Sequence, residues 1–246
     1  GNPKPRVFRL SEDKAIINRL GFPSVGMEEV HSRISKNKPN GILGINIGPN
    51  KDSSSKLKDY VECFKRFCNL SDYICINISS PNTPNLRDLH EKGKIEELLK
   101  AIKSKQVELN NNTPIILKIS PDISDNNISE LAHIIIEQKI DGVVLTNTTI
   151  GNRNDLKSQF KDEMGGLSGI PLQSASNSLI QKFYKILGNK IPIIGAGGVH
   201  DGKSAYEKIK SGARRIKSRR RSNWSADLES IYRRANTKHH PAIEPK

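Results

Sequence analysis

Short apolar runs alternate along this chain with longer segments whose apolar residues recur at helical spacing. Alternation of that kind is the signature of βαβ units and a parallel sheet, because two parallel neighbours need a crossover of helical length between them. The pattern predicts strands over 41–48, 72–79, 114–120, 142–149 and 191–198. In the helix after the first strand, Leu57, Tyr60, Val61, Phe64, Phe67 and Cys68 share one stripe, which faces a sheet. Segments 95–109 and 128–139 behave likewise, the second with Ser124 or Asp125 ahead of it as a cap. Helical stretches 172–187 and 204–210 complete the series. These units fit either a (β/α)8 barrel or a doubly wound sheet, and 246 residues suffice for one barrel or two smaller domains.

The ends of the strands favour the barrel. Asn46 in GINIG, Asn77 in CINISS, Lys118 in ILKIS and Asn147 in VLTNTT each place a polar residue near the C-terminal end of an apolar run. In a barrel those ends converge on one mouth, where groups from several strands can act together. A Rossmann sheet would concentrate its signal in one G-x-G-x-x-G turn after its first strand, and that motif is not present there. Any single asparagine is more simply a loop cap. The lysine is harder to treat that way, since a buried ammonium is costly unless an anion or ligand meets it.

Three loops carry further chemistry. NISSPNTPNLR, residues 77–87, crowds amides, hydroxyls and an arginine onto the end of a strand, although Ser80 before Pro81 also fits a plain turn hydroxyl. IPIIGAGGVHDG, residues 191–202, runs a strand into Gly195, Gly197 and Gly198, with a helix expected after Asp201; uncovered N–H groups and a helix N-terminus there suit an anion such as a phosphate. MGGLSG, residues 164–169, reads as a flexible glycine-rich connection.

Charge changes the picture only locally. The formal net charge is +14, and from 213 to 246 ten lysines and arginines against three acids leave +7, half of the excess. A nucleic-acid binder working through RRIKSRRR, with Trp224 and Tyr232 for stacking, is therefore one alternative. Basic runs are more often solvated tails, and no nucleic acid is expected as a partner. Cys63, Cys68 and Cys75 are too few for a disulfide framework, and no histidines complete a zinc pattern. No apolar run approaches the roughly 20 residues that span a bilayer, and the N-terminus has no signal-peptide core, so neither secretion nor integral membrane insertion is expected.

Taken in order, GNPKPRVFRL, AIINRLGF, GINIGPNK, NISSPNTPNLR, LKISPD, VLTNTT, GGLSG and IPIIGAGGV resemble the dihydroorotate dehydrogenase family, in its class 2, quinone-linked branch. The resemblance implies a (β/α)8 barrel holding FMN at its mouth and oxidation of dihydroorotate to orotate in pyrimidine synthesis, with a quinone as electron acceptor. It implies Ser80 as catalytic base and Thr83 as a relay for its proton. Asn18, Phe22, Asn77, Asn82, Asn147 and Thr148 match substrate-binding positions. Asn46, Asn77, Lys118, Thr146, Ser168, Gly169, Gly197 and Gly198 match positions around the flavin. Peripheral association with a membrane is implied too, on the cytoplasmic side of a bacterial inner membrane or at the mitochondrial inner membrane.

The likeness runs from Gly1 to about Ala213. By comparison with the family, the text begins after the membrane-associating helices and first barrel strands, and after Ala213 it turns basic where a final barrel strand is expected. Six of the eight residues 214–221 are Lys or Arg, which no central strand buried on both faces can hold. The expectation is a barrel domain over 1–213, incomplete at both ends, and an irregular basic tail over 214–246. An inactive remnant of the enzyme remains a further alternative.

Overall fold

The computed structural model describes residues 1–82, 86–90, 92–151 and 153–217. The chain opens with a hairpin, β1 (Val7–Leu10) and β2 (Ala15–Asn18), then α1 (Met27–Lys36), β3 (Gly44–Ile47), α2 (Lys56–Phe67) and β4 (Tyr73–Asn77). A short 3-10 turn at Arg87–His90 leads to α3 (Lys92–Glu108), β5 (Ile115–Ile119), α4 (Asp125–Glu137) and β6 (Gly142–Leu145). The remainder is β7 (Gly166–Gly169), a 3-10 turn at Ile170–Leu172, α5 (Gln173–Leu187), β8 (Ile193–Ala196), α6 (Gly202–Lys210) and β9 (Arg215–Lys217).

Six strands form one sheet in the order β3-β4-β5-β6-β8-β9, parallel throughout, and β1-β2-β7 form a separate antiparallel sheet. Period-2 alternation gives the parallel sheet two different faces. Ile74, Ile76, Ile115, Leu117, Ile119, Val143, Leu145 and Ile193 point one way, into a core shared with Tyr60, Phe64, Leu98, Leu131 and Phe183 of the covering helices. Each such aliphatic side chain contributes about 1.5–3 kcal/mol by burial. Cys75, Val144 and Ala196 form a small second cluster on the opposite face, with Tyr73, Ile116 and Ile194 against it. The sheet is curled with helices on its outer side, an incomplete (β/α) barrel, and the second cluster lies on its inner face.

All five strands and five helices read from periodicity are present, each strand shorter than expected by two to four residues in all. Ser124 holds the N-cap position of α4 but makes no side-chain cap bond, whereas Ser55 caps α2 by accepting from Lys58 N. The hairpin, α1, β7 and β9 were not legible as periodic runs. Residues 164–169, read as a flexible connection, contain β7, whose pairing to β2 aligns Gly166 with Asn18 and Gly169 with Ala15. Arg215–Lys217, read as outside the barrel domain, pair with β8 as the outermost strand of the sheet. An edge strand needs only one neighbour, so Arg215 and Lys217 stay exposed while Ile216 is half-buried. The rest of the basic segment, 218–246, with Trp224 and Tyr232, lies outside the described residues.

Candidate functional site

The polar strand ends share the inner face. Asn77 of β4 is the direct register partner of Lys118 of β5. Asn46 of β3 pairs with Cys75, one inward-facing step below Asn77. Burial pushes the Cys75 thiol above its ordinary pKa, while Lys118 and Lys217 pull it down. By register both lysines belong to the inner face, Lys118 opposite Asn77 in the middle of the sheet and Lys217 opposite Ala196 at its edge.

A chain of side-chain hydrogen bonds joins the ends of β4 and β6. Asn147 Nδ2 donates to Ser79 Oγ at 3.0 Å, and Ser79 Oγ donates to Asn77 Oδ1 at 2.8 Å, which also takes Ser79 N at 3.2 Å. The Tyr60 hydroxyl fixes the backbone beneath, donating to the Asn77 carbonyl at 2.8 Å, and burial drives that phenol far above its usual titration range. Because Ser79 occupies the carbonyl oxygen of the Asn77 side chain, the amide's NH2 end is turned the other way.

A second polar group sits beside the first. Asn82 Nδ2 donates to the Asn18 carbonyl at 3.0 Å, and Asn18 Nδ2 reaches the Gly166 carbonyl at 3.4 Å, so the loop after β4 is tied to the antiparallel sheet. A Cβ at Gly166 would overlap the Thr148 hydroxyl and touch Pro81, so Thr148, Pro81 and Gly166 meet at one point. Ser80 is buried, its Oγ accepting from Asn82 N at 3.3 Å. Phe22, at φ +52°, lays its ring against Gly48 just past Asn46.

Arg87 ties three loops together. Its guanidinium donates to Asp122 Oδ2 at 2.7 Å, to the Thr148 carbonyl at 3.1 Å and to the Ser79 carbonyl at 3.4 Å. Asp122, in the loop after β5, also accepts from the Thr149 hydroxyl and from Ile150 N. The loops following β4, β5 and β6 are thereby fixed to one another.

The glycine turn after β8 closes the far side. The Ala196 carbonyl accepts from Thr146 N at 2.9 Å, and a Cβ at Gly197 would come within 3.2 Å of Thr146 Oγ1 and 2.8 Å of Leu172. Gly198, at φ +74°, packs so closely on the Gln173 backbone that any side chain would overlap it. Ser168 Oγ donates to the Ile16 carbonyl at 3.2 Å, and Gly169, at φ +100°, leads through the 3-10 turn to Leu172, so both belong to the link between the two sheets. The start of α6 differs from expectation. Asp201 accepts from Ser204 N at 2.6 Å and Ser204 Oγ accepts from Asp201 N at 2.9 Å, a reciprocal cap that places a carboxylate on the helix end. The Ser204 N–H holds the Asp201 carboxyl below its ordinary pKa, so that end is already supplied with its anion.

Asn46, Asn77, Lys118, Thr146 and Gly197 thus gather on or beside the inner face, and Asn18, Ser80, Asn82, Asn147 and Thr148 along the adjoining rim. Thr83 lies outside the described residues. Sequence reasoning gave no role to Ser79, Arg87 or Asp122. LKISPD did display Asp122 two residues beyond a strand, but nothing in one sequence pairs it with Arg87.

Residues 1–218 match the family model described as dihydroorotate dehydrogenase. The chain is 46% identical over 222 residues to dihydroorotate dehydrogenase (quinone) of Buchnera aphidicola subsp. Schizaphis graminum, covering 88% of this chain and 66% of that one. It is 43% identical over the same shares to the protein of that name from Vibrio cholerae serotype O1. The chain therefore spans just under two thirds of the length of these relatives. A crystal structure of DHODH in complex with ferulenol from Eimeria tenella superposes with a TM-score of 0.88 at 33% identity, covering 98% of this chain and 76% of that one.

Proposed function

The chain belongs to the dihydroorotate dehydrogenase family, and from that premise we propose that it carries FMN at the inner face of its sheet and oxidises dihydroorotate to orotate, a step of pyrimidine nucleotide synthesis. The observation that carries the reading is the Asn147–Ser79–Asn77 chain standing beside Lys118. The substrate is a flat anion edged with carbonyl and amide groups, and oriented asparagines answer both kinds of group at once.

The residues present fit a flavin. Its polar ring edge needs donors, which Asn46, Asn77 and Lys118 supply from adjacent strands, and Thr146 borders the Gly197–Gly198 turn, the proposed seat of its phosphate. When bound, FMN would supply the acceptor for the hydride leaving C6 of the substrate, with a quinone as the final electron acceptor. Lys118 places a positive charge on the face where the ring would gain negative charge, which favours the reduced state.

Ser80 is the proposed base, taking the proton from C5. An alkyl hydroxyl is a weak base, and two features of its setting help. Burial keeps bulk water away, and the Asn82 N–H directed at Oγ favours the alkoxide character that oxygen gains as its own proton passes outward while it takes the one from C5. Thr83 is the residue proposed to pass the proton outward. Asn18, Asn82, Asn147 and Thr148 would orient the substrate, and Phe22 and Gly48 would bound it.

With a quinone as acceptor, peripheral contact with a membrane belongs to the same reading; among the described residues no helix is long and apolar enough to cross one. Anaerobic addition of dihydroorotate to the purified chain tests the proposal: loss of the oxidised flavin absorbance and its return on adding a short-chain quinone are expected. A flavin-loaded protein whose spectrum dihydroorotate leaves unchanged would sink it.

A further inference from the structure

Lys208 is the one charged residue counted among the largest fully buried side chains of the described structure. It leaves α6 and runs beneath the end of β8, where a Cβ on Gly195 would come within 2.6 Å of its Cγ and Cδ. Its Nζ donates to Ser176 Oγ and to Asn177 Oδ1 of α5, each at 2.9 Å. Both partners are neutral, so the positive charge is not cancelled where it sits. Glu207, its neighbour on α6, reaches Lys210 at 3.6 Å instead.

The direction of the chain of bonds is forced. An ammonium has only donors, so Ser176 Oγ must accept from Lys208 and spend its own hydrogen elsewhere. It donates that hydrogen to the Ala196 carbonyl at 2.7 Å, the same oxygen that takes Thr146 N. Ala196 is the last residue of β8, immediately before Gly197 and Gly198. A hydroxyl that accepts from a cation is polarised and donates more strongly. Because the peptide unit is rigid, holding the Ala196 carbonyl from two sides also fixes the plane from which the glycine turn departs.

We propose that Lys208 is a positioning residue for the Gly197–Gly198 turn, acting through Ser176 on the Ala196 carbonyl, and that it holds this turn in the shape that receives the phosphate of the flavin. The inference rests on the FMN reading above. Lys208 does not touch the cofactor; it sets the backbone that does. Two glycines in left-handed conformation have wide freedom, and an oriented carbonyl at their first peptide removes part of it.

Titration of the flavin-stripped full chain with FMN and with riboflavin, which lacks the phosphate, separates this role from a general packing role. In Lys208→Met, and in the smaller change Ser176→Ala, the Kd for FMN is expected to rise about tenfold, the loss of one charge-assisted link. The Kd for riboflavin should move less than about twofold, within the scatter of one weak contact. Equal losses for both flavins, or unchanged FMN affinity in Ser176→Ala, overturn the proposal; if Lys208→Met does not fold, Ser176→Ala decides alone. A wild-type chain that binds FMN no better than riboflavin, or neither, instead overturns the cofactor reading on which the inference stands.

Discussion

Arg87 and Asp122 meet at 2.7 Å across the rim of the sheet, joining the loop after β4 to the loop after β5, with the loop after β6 held by both. Neither residue is among those matched to substrate or flavin. Their pairing braces the loops that carry Ser79 and Thr148, whose carbonyls Arg87 also holds.

Removing one partner takes away the charge-assisted bond between them while the other, one-fifth exposed, keeps its bonds to the neighbouring loops, a moderate loss. Arg87→Met and Asp122→Asn are each expected to cost about 1–2 kcal/mol in urea unfolding. The larger effect should fall on function: KM for dihydroorotate rising about tenfold, since misplacement of the rim weakens several contacts together, with FMN affinity falling less, because Asn46 and Lys118 stand on β3 and β5 and only Ser79 links the pair towards Asn77. Equal losses of flavin and substrate binding would mean the clasp supports the whole fold rather than the rim.

Burial of Lys208 makes a second prediction. Desolvation lowers its pKa from 10.5 to about 8, and the groups its ammonium faces, Ser176 and Asn177, do not titrate. Between those two pH values the unfolded chain holds a proton that the folded chain has released, so the stability contribution rises with pH across that window and the penalty is fully present below it. Its full size is on the order of 3 kcal/mol. Cys63, pushed by burial up to about 11, works in the opposite direction, so the readout is a difference. Urea midpoints of wild type and Lys208→Met at pH 7 and pH 9.5 should shift relative to each other in favour of wild type at the higher pH. Parallel shifts would show that Lys208 keeps its ordinary pKa in the fold.

The parallel sheet and its helices were readable because strands buried on one or both faces and helices with a single apolar stripe leave a period in the text. β4, with Ile74 and Ile76, and α2, with Tyr60, Phe64 and Phe67, needed nothing more. The hairpin and β7 left little trace: four-residue strands built from Phe8, Leu10, Ile17 and Leu167 bury a small separate cluster, and Gly166 and Gly169 look like loop residues until their close packing on Thr148 and Lys14 is known. The same holds within the site. Asn46, Asn77, Lys118 and Asn147 announced themselves as polar residues in apolar runs, but their depths differ, with Asn46 a step below Asn77 and Asn147 beyond the end of β6. Ser79, Arg87 and Asp122 act through contacts between loops, and a helix N-terminus that suited an anion had already taken Asp201.

Ser80 carries the last prediction. Its Oγ is buried, follows directly on the Asn77–Ser79 link and receives the Asn82 N–H. If it removes the C5 proton, Ser80→Ala leaves the flavin site intact, because Asn46, Asn77 and Lys118 lie on the strands below it, and loses only the proton transfer. The rate of flavin reduction by dihydroorotate, followed anaerobically by stopped flow, is expected to fall by about 10²–10⁴, the usual worth of a positioned base, with FMN still bound. Ser80→Cys separates chemistry from loop geometry: a thiol of similar size gives up its proton far more readily than an alcohol and should recover part of the rate. Lys118→Ala should behave differently, weakening FMN binding itself. A Ser80→Ala protein that reduces its flavin at the original rate removes Ser80 from the chemistry and leaves it as the turn hydroxyl before Pro81.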